Sequence, residues 1–333
     1  MIECIFTIDY EIYGNGEGSL REHIYEPAER LMATFRKWNA RFVSFVEVSE
    51  LEMVEAKGTD DAIELVKRQI RDFHREGFEI GLHLHPQWYN ARFENGRWFL
   101  DYSEYNLCTL SRKRIAQIVE RSISYLRAIL SKSDFTPLSF RAGNWLFQPP
   151  ETVAAVLAEK GIKIDSSVFK GGVQHSHGLD YRRALSNGYY WRFQSDVCTP
   201  DPKGALIEIP TFSTMVPFWK MLTAKRVGLQ RKSPSTLQSS HNRLNRILDY
   251  LRPWYPLKFD FCRMTIDEMI SVMDGVIQED QDNPTKYRPM VAIGHTKDLV
   301  DFDSVDYLLS YLKEKEIKVS TFYEVYTKCQ NGI

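Results

Sequence analysis

The sequence lacks a charge imbalance: 43 Lys plus Arg stand against 44 Asp plus Glu in 333 residues. Strong nonspecific attraction to nucleic acid is therefore not expected, and no nucleic-acid partner is assigned. It also lacks any run of about eighteen uncharged apolar residues, so no transmembrane segment is expected. Met1-Ile2-Glu3-Cys4-Ile5-Phe6 enters a strand at once, without the basic start and long apolar stretch of a secretory leader. The five cysteines, Cys4, Cys108, Cys198, Cys262 and Cys329, are scattered and show no Cys-x-x-Cys spacing. They read as buried or free thiols, not as disulfides or zinc ligands, and the cytoplasm is the simplest location. No Gly-x-Gly-x-x-Gly follows the first strand and no Gly-x-x-x-x-Gly-Lys occurs, which counts against the usual nucleotide sites of open sheets.

Apolar residues make up 43% of the chain, enough for a substantial core. Strand-like and helix-like segments alternate along it. Residues 3–8, 41–48, 78–84, 138–141, 162–165, 205–209, 290–293 and 318–320 read as strands. Residues 27–39, 60–76, 111–132, 149–160, 265–278 and 304–315 read as helices, with Pro149 in a first turn and Gly77 and Gly161 as stops. This alternation predicts a parallel sheet with crossover helices, closed or nearly closed into a barrel of about seven strands; an open doubly wound sheet is the alternative. Residues 1–333 then form one catalytic domain. A basic insert at about 213–258 interrupts it, with eight Lys or Arg between Val216 and Tyr255 against one acid, Asp249.

Loops after the C-terminal ends of strands build the active sites of such sheets. Side chains two apart on a strand share a face. Asp9 and Glu11 therefore face one way at the end of the first strand, and His83 and His85 one way at the end of the third. Read singly, the acid is a turn residue or helix cap and the histidines are structural. Read together, two imidazoles and a carboxylate form a common three-ligand set for a catalytic ion, most simply Zn2+, with the second carboxylate left as a base. Arg141 closes another strand and is followed by Gly143, where backbone can approach closely. Asp165 closes the next with a carboxylate, either a site group or a cap or turn residue. His295 follows an apolar run, as a general acid or a satisfied core histidine.

This ordered set resembles the polysaccharide deacetylase superfamily, the NodB-homology or carbohydrate esterase 4 group, over most of the chain from Phe6 to about Tyr326. Phe6-Thr7-Ile8-Asp9 is similar to the start of the family's first motif, which implies Asp9 as catalytic base. The family's metal-binding Asp is here Tyr10, so the resemblance implies Glu11 as its substitute. His83 matches the first His of the His-x-x-x-His motif; Gln87 stands at the second, and His85 is the implied replacement. Arg141-Ala142-Gly143 resembles Arg-x-Pro without the proline and implies Arg141 as the partner of Asp9. Ile164-Asp165-Ser166-Ser167 implies Asp165 as the group that holds His295, the implied general acid. The fold implied is a distorted (β/α) barrel with fewer than eight strands, NodB-like.

The resulting expectation is a metal-dependent deacetylase acting on an N-acetylated sugar. Trp88, Trp145 and Asn144 are its expected substrate contacts, although the two Trp rings read equally as core. The basic insert is suited to the phosphate of a lipid-linked or nucleotide-linked glycan, an intermediate of surface-polysaccharide (O-antigen or capsule type) biosynthesis. Residues 215–227 mix Phe218, Trp219, Met221 and Leu222 with Lys220, Lys225 and Arg226, as a peripheral contact with the inner face of a membrane would, or as a solvated lid would. An amide hydrolase on a non-sugar substrate, a metal-dependent glycosidase and an inactive sugar-binding homologue remain as alternatives.

Overall fold

The apolar run that opens the chain forms β1 (Ile2–Tyr10), buried on both faces from Glu3 onward. A strand without a polar face needs cover on both sides, which a parallel sheet with crossover helices supplies. The structure, a computed structural model, describes residues 1–185, 190–217, 219–220 and 253–332. After β1 come α1 (Glu26–Lys37), β2 (Val43–Glu47), α2 (Val48–Lys57), α3 (Ile63–Arg75) and β3 (Glu79–Leu84). A ribbon of β4 (Arg92–Glu94) and β5 (Arg97–Phe99) precedes α4 (Arg112–Leu130), β6 (Ser139–Ala142), α5 (Glu151–Glu159) and β7 (Ile164–Asp165). A second ribbon, β8 (Val173–Gln174) and β9 (Leu179–Asp180), leads to β10 (Trp191–Phe193) and β11 (Leu206–Glu208). The third ribbon is β12 (Ser213–Pro217) with β13 (Trp254–Lys258), followed by α6 (Ile266–Asp282), β14 (Arg288–His295), α7 (Phe302–Glu314), β15 (Lys318–Val319) and α8 (Phe322–Asn331).

The main sheet runs β10-β11-β7-β6-β3-β2-β1-β14, with β15 added on β1. From β11 to β14 every neighbouring pair is parallel, which agrees with the seven-strand barrel expected. The antiparallel edge strand β10 was not foreseen, nor were α2 and α8. Closure is by single bridges instead of a ladder: Thr211, just past β11, bridges Phe169 and Val291, and Asp260 bridges Ile293. This is the distortion of the barrel.

Alternation along the strands sorts the side chains into two layers. Outside, Phe6 meets Phe35 of α1 at 5.2 Å between ring centroids, and Phe42, Phe73 and Phe78 continue the cluster. Helix α3 adds Val66, Ile70 and Phe73 at helical spacing. Inside, Ile5, Val43, Phe45, Ile164, Ile207, Val291 and Phe322 form a smaller core. Each such side chain gains about 1.5–3 kcal/mol on leaving water. On the inner face of β1 the next residues after Ile5 are Thr7 and Asp9, so the apolar filling gives way to polar groups towards the strand's C-terminal end.

Register then aligns the chemistry. Asp9 lies level with His295 on one side and Phe45 on the other; Glu47 is level with His83, and His83 with Arg141. The five cysteines are all free and buried, as expected. Most of the basic segment falls outside the described residues: 218 and 221–252 are not among them, and they include most of the stretch expected to meet a membrane. No helix among the described residues is long and apolar enough to cross a membrane.

Candidate active site and metal centre

Asp9, at the end of β1, and Glu11, just beyond it, project to the same side as alternation requires, and both are buried. Tyr10 points the other way and donates to Gln69 Oε1 at 2.5 Å in the core. Each acid divides its two oxygens between a cation and imidazoles. Asp9 Oδ1 accepts from Arg141 Nη1 at 2.7 Å, while Oδ2 faces His295 Nε2 at 3.5 Å and His83 Nε2 at 4.0 Å. Glu11 Oε1 accepts from Lys297 Nζ at 2.6 Å, while Oε2 lies 3.4 Å from His83 Nε2 and 3.0 Å from His85 Nε2. The structure thus brings together Asp9, Glu11, His83, His85, Arg141 and His295.

Arg141 is fixed on all sides. Its Nε donates to the Ser166 carbonyl at 3.0 Å, its Nη2 to Thr7 Oγ1 at 2.9 Å, and its guanidinium lies 4.2 Å from the Phe45 ring centroid. Burial pushes the Asp9 carboxyl up, but Arg141, His83 and His295 outweigh it and hold Asp9 below the usual carboxylate range. Burial likewise opposes ionisation of Glu11, and Lys297 and His85 overcome it, keeping Glu11 well below that range. Both acids are therefore anionic at neutral pH.

The imidazoles are oriented from behind. His83 Nδ1 lies 2.9 Å from the Arg141 carbonyl, so it donates there and leaves Nε2 for the cluster. Burial opposes a charge on His83, but Asp9 and Glu11 prevail and raise it to about 9. His85 Nδ1 has two amides beside it, Asn144 Nδ2 at 3.1 Å and Gln87 Nε2 at 3.2 Å. Gln87 Oε1 is buried without a hydrogen-bond partner among the described residues. Half a turn of that amide gives Nδ1–H an acceptor and frees Nε2 as a ligand. Gly143 permits this crowding: a Cβ there would meet the Leu84 carbonyl at 2.5 Å and the His85 ring at 2.8 Å. The close backbone approach expected at this glycine is thus made to His85.

One expected contact is corrected. Asp165 is not beside His295; it accepts from Ser167 Oγ at 2.6 Å and Ser167 N at 3.3 Å, and pairs with Glu208. Asp165 is instead engaged along the β7–β11 pair, where it lies level with Glu208. The carboxylate nearest His295 Nδ1 is Asp298 at 3.9 Å, three residues on in a 3-10 turn, with Arg263 bonded to it. Burial pushes His295 below the ordinary histidine value, despite Asp9 and Asp298, so it rests neutral. Trp88 also departs from expectation: it is buried, edge-on to Trp98 at 5.1 Å, and offers no open face. Trp145 is partly buried, with Lys258 Nζ 4.1 Å from its ring centroid, and Asn144 is spent on His85.

Sequence reasoning missed Glu47, Lys297 and Asp298. Two overlapping groups of donors can hold a divalent ion: Glu11, Glu47, His83 and His85, and Asp9, Glu11 and His295. The first fits better, because Asp9 is engaged by Arg141 and His295. Two imidazoles with carboxylate oxygens are ordinary divalent-metal donors.

No family model and no curated protein matches the chain. Solved structures do. A protein described as a polysaccharide deacetylase from Mycobacterium smegmatis is 14% identical, with 99% of this chain and 91% of that chain covered and a TM-score of 0.56. Puue allantoinase is 12% identical, covering 97% of this chain and 88% of its own, with a TM-score of 0.50. In fold, this chain is similar to both proteins, in agreement with the distorted barrel expected.

Proposed function

We propose that the protein is a divalent-metal-dependent hydrolase that removes an acetyl group from an N-acetylated sugar. One observation carries the reading: Glu11 Oε2 converges with His83 and His85 Nε2 while, on the same side, Asp9 Oδ2 stands 3.5 Å from His295 Nε2. A ligand set and an acid–base pair therefore share one buried mouth. Glu11, His83 and His85 would hold the ion, and an ion held there supplies carbonyl polarisation and a more acidic water. Asp9, kept ionised by Arg141, takes the water's proton on Oδ2. His295 is neutral at rest, so it can receive that proton from Asp9 and deliver it to the departing nitrogen. Asp298 stands behind Nδ1 to favour the imidazolium that forms in between. Arg263 holds Asp298 in place. The products are acetate and a free amine. Were these three the whole ligand set, Zn2+ would suit it.

Lys258 supports an anionic glycan as substrate. Around the cluster Arg141, Lys297 and Arg263 each have a carboxylate, whereas no carboxylate pairs with Lys258 among the described residues. Its ammonium lies over the Trp145 ring beside the site. A cation over an aromatic face suits a sugar ring that carries a phosphate. This favours a lipid-linked or nucleotide-linked intermediate of surface-polysaccharide biosynthesis.

The test is acetate release from acetamido sugars, free and nucleotide-diphosphate-linked, by the metal-loaded protein. Asp9→Asn should abolish release and keep the metal; His83→Ala should lose both. Release of a reducing sugar, opening of a cyclic amide, or no turnover of any acetamido sugar would overturn the reading. Equal metal loss in both variants would make Asp9 a ligand.

A further inference from the structure

Glu47 ends β2 and at the same time begins α2, with no residue between them. Its Oε1 caps the helix, accepting from Ser49 N at 3.1 Å, from Glu50 N at 3.4 Å and from the Ser49 hydroxyl. Glutamate is not among the preferred N-caps; the shorter Asp, Asn, Ser and Thr do this work better. What the longer acid adds is a second oxygen held farther out. That oxygen, Oε2, is fully buried and has no hydrogen-bond partner among the described residues. Buried acceptors without partners are rare, and each asks for a ligand. Glu47 is level with His83 in the sheet, and one of its oxygens lies within 4.8 Å of donor atoms of Glu11, His83 and His85.

We infer that Glu47 is a fourth protein ligand of the ion, making a centre of two imidazoles and two carboxylates. The inference rests on the metal-dependent reading above and narrows it. Donors about 2.1 Å from a shared ion stand up to about 4.2 Å apart, so the observed span closes with small side-chain shifts. Four protein ligands would fill a tetrahedral zinc ion and leave no place for water. The same four leave places open on an ion that accepts five or six ligands, and hard oxygen donors favour Mn2+ and its neighbours. The centre therefore selects a five- or six-coordinate ion over tetrahedral zinc. Asp298 and Lys297 stay outside it, the latter holding Glu11 Oε1.

Glu47→Ser separates the two duties of this residue, since serine keeps a good helix cap and removes the outer oxygen. The full-length chain, stripped of metal, is titrated with Mn2+, Co2+ and Zn2+ by calorimetry, and the visible spectrum of the Co2+ form is recorded. Wild type should show the weak bands of five- or six-coordinate Co2+. In Glu47→Ser the bands should intensify as coordination falls, and Mn2+ affinity should drop roughly tenfold to a hundredfold, the loss that even an outer partner causes, with Zn2+ affinity much less changed. Glu47→Gln, which keeps the cap oxygen and the side-chain shape, should give the same shifts if Ser49 contacts are not the cause. Unchanged Mn2+ affinity and an unchanged Co2+ spectrum in both variants would overturn the inference, with acetate release by wild type leaving the proposed function standing. Altered metal binding without any acetate release would do the reverse.

Discussion

Replacing Arg141 by Met tests the centre of the site. The Arg141 and Asp9 side chains are 1% and 5% exposed, so the screening that weakens surface pairs does not apply. Four hydrogen bonds leave the guanidinium: to Asp9, to Thr7, and to the carbonyl and hydroxyl of Ser166. Methionine fills most of the space over Phe45 and makes none of them. Removing one partner of a buried pair leaves an uncompensated charge and costs about 3–5 kcal/mol, a large share of the roughly 5–15 kcal/mol that hold a domain together. Urea unfolding of the metal-free protein measures it. Because Arg141 holds Asp9 below the usual carboxylate range, the pair's contribution is complete above the unfolded carboxylate value of about 3.9. It is lost as pH falls through the lower folded value. Without Arg141, burial dominates and Asp9 titrates higher, so the acid limb of turnover moves to higher pH. The double variant Arg141→Met/Asp9→Asn removes both charges and should recover part of the lost stability. A single-variant loss below about 1 kcal/mol, no recovery in the double variant, or an unmoved acid limb would refute the reasoning.

Two further outcomes are expected. Asp298→Asn should lower turnover by about a hundredfold with substrate KM little changed, whereas Asp165→Asn should leave turnover near wild type; the opposite ranking in steady-state assays would return His295 to Asp165. Lys258, which burial pulls down to about 8 against Asp260, should lose its charge above that pH. KM for a phosphorylated acetamido sugar should then rise through pH 8 while that for the neutral sugar does not, and Lys258→Met should show the high-pH KM at every pH.

The residues that alternation could place were legible in the sequence. Asp9 with Glu11 and His83 with His85 lie two apart at strand ends, and period two puts each pair on one side whatever the rest of the fold does. Which strands become neighbours is set by tertiary pairing, and the spacing does not encode it. That is why the family resemblance could imply Asp165 as the partner of His295 when a turn three residues downstream of that histidine supplies Asp298. Glu47 was hidden for a different reason: it lies inside the segment 41–48 read as a single strand, and neither Phe45 nor Ser49, two positions away, offers the second ligating side chain that marked the other two pairs. The signal that could have found it is its position at the C-terminal end of a buried strand, the same position held by Asp9 and His83. Trp88 failed as a sugar platform because the β4–β5 ribbon brings Trp98 against its ring.

The burial of every native thiol has a practical side. Desolvation pushes Cys198 and Cys329 up to about 12 and holds Cys4, Cys108 and Cys262 well above the ordinary thiol value. Thiolate is the form that maleimides attack, so the unaltered chain should resist alkylation at neutral pH. A cysteine introduced at Met215, whose side chain is exposed on β12, would then be the single reactive handle. A fluorophore attached there could report, in real time and without a cysteine-free background, on what approaches the ribbon that carries Lys258.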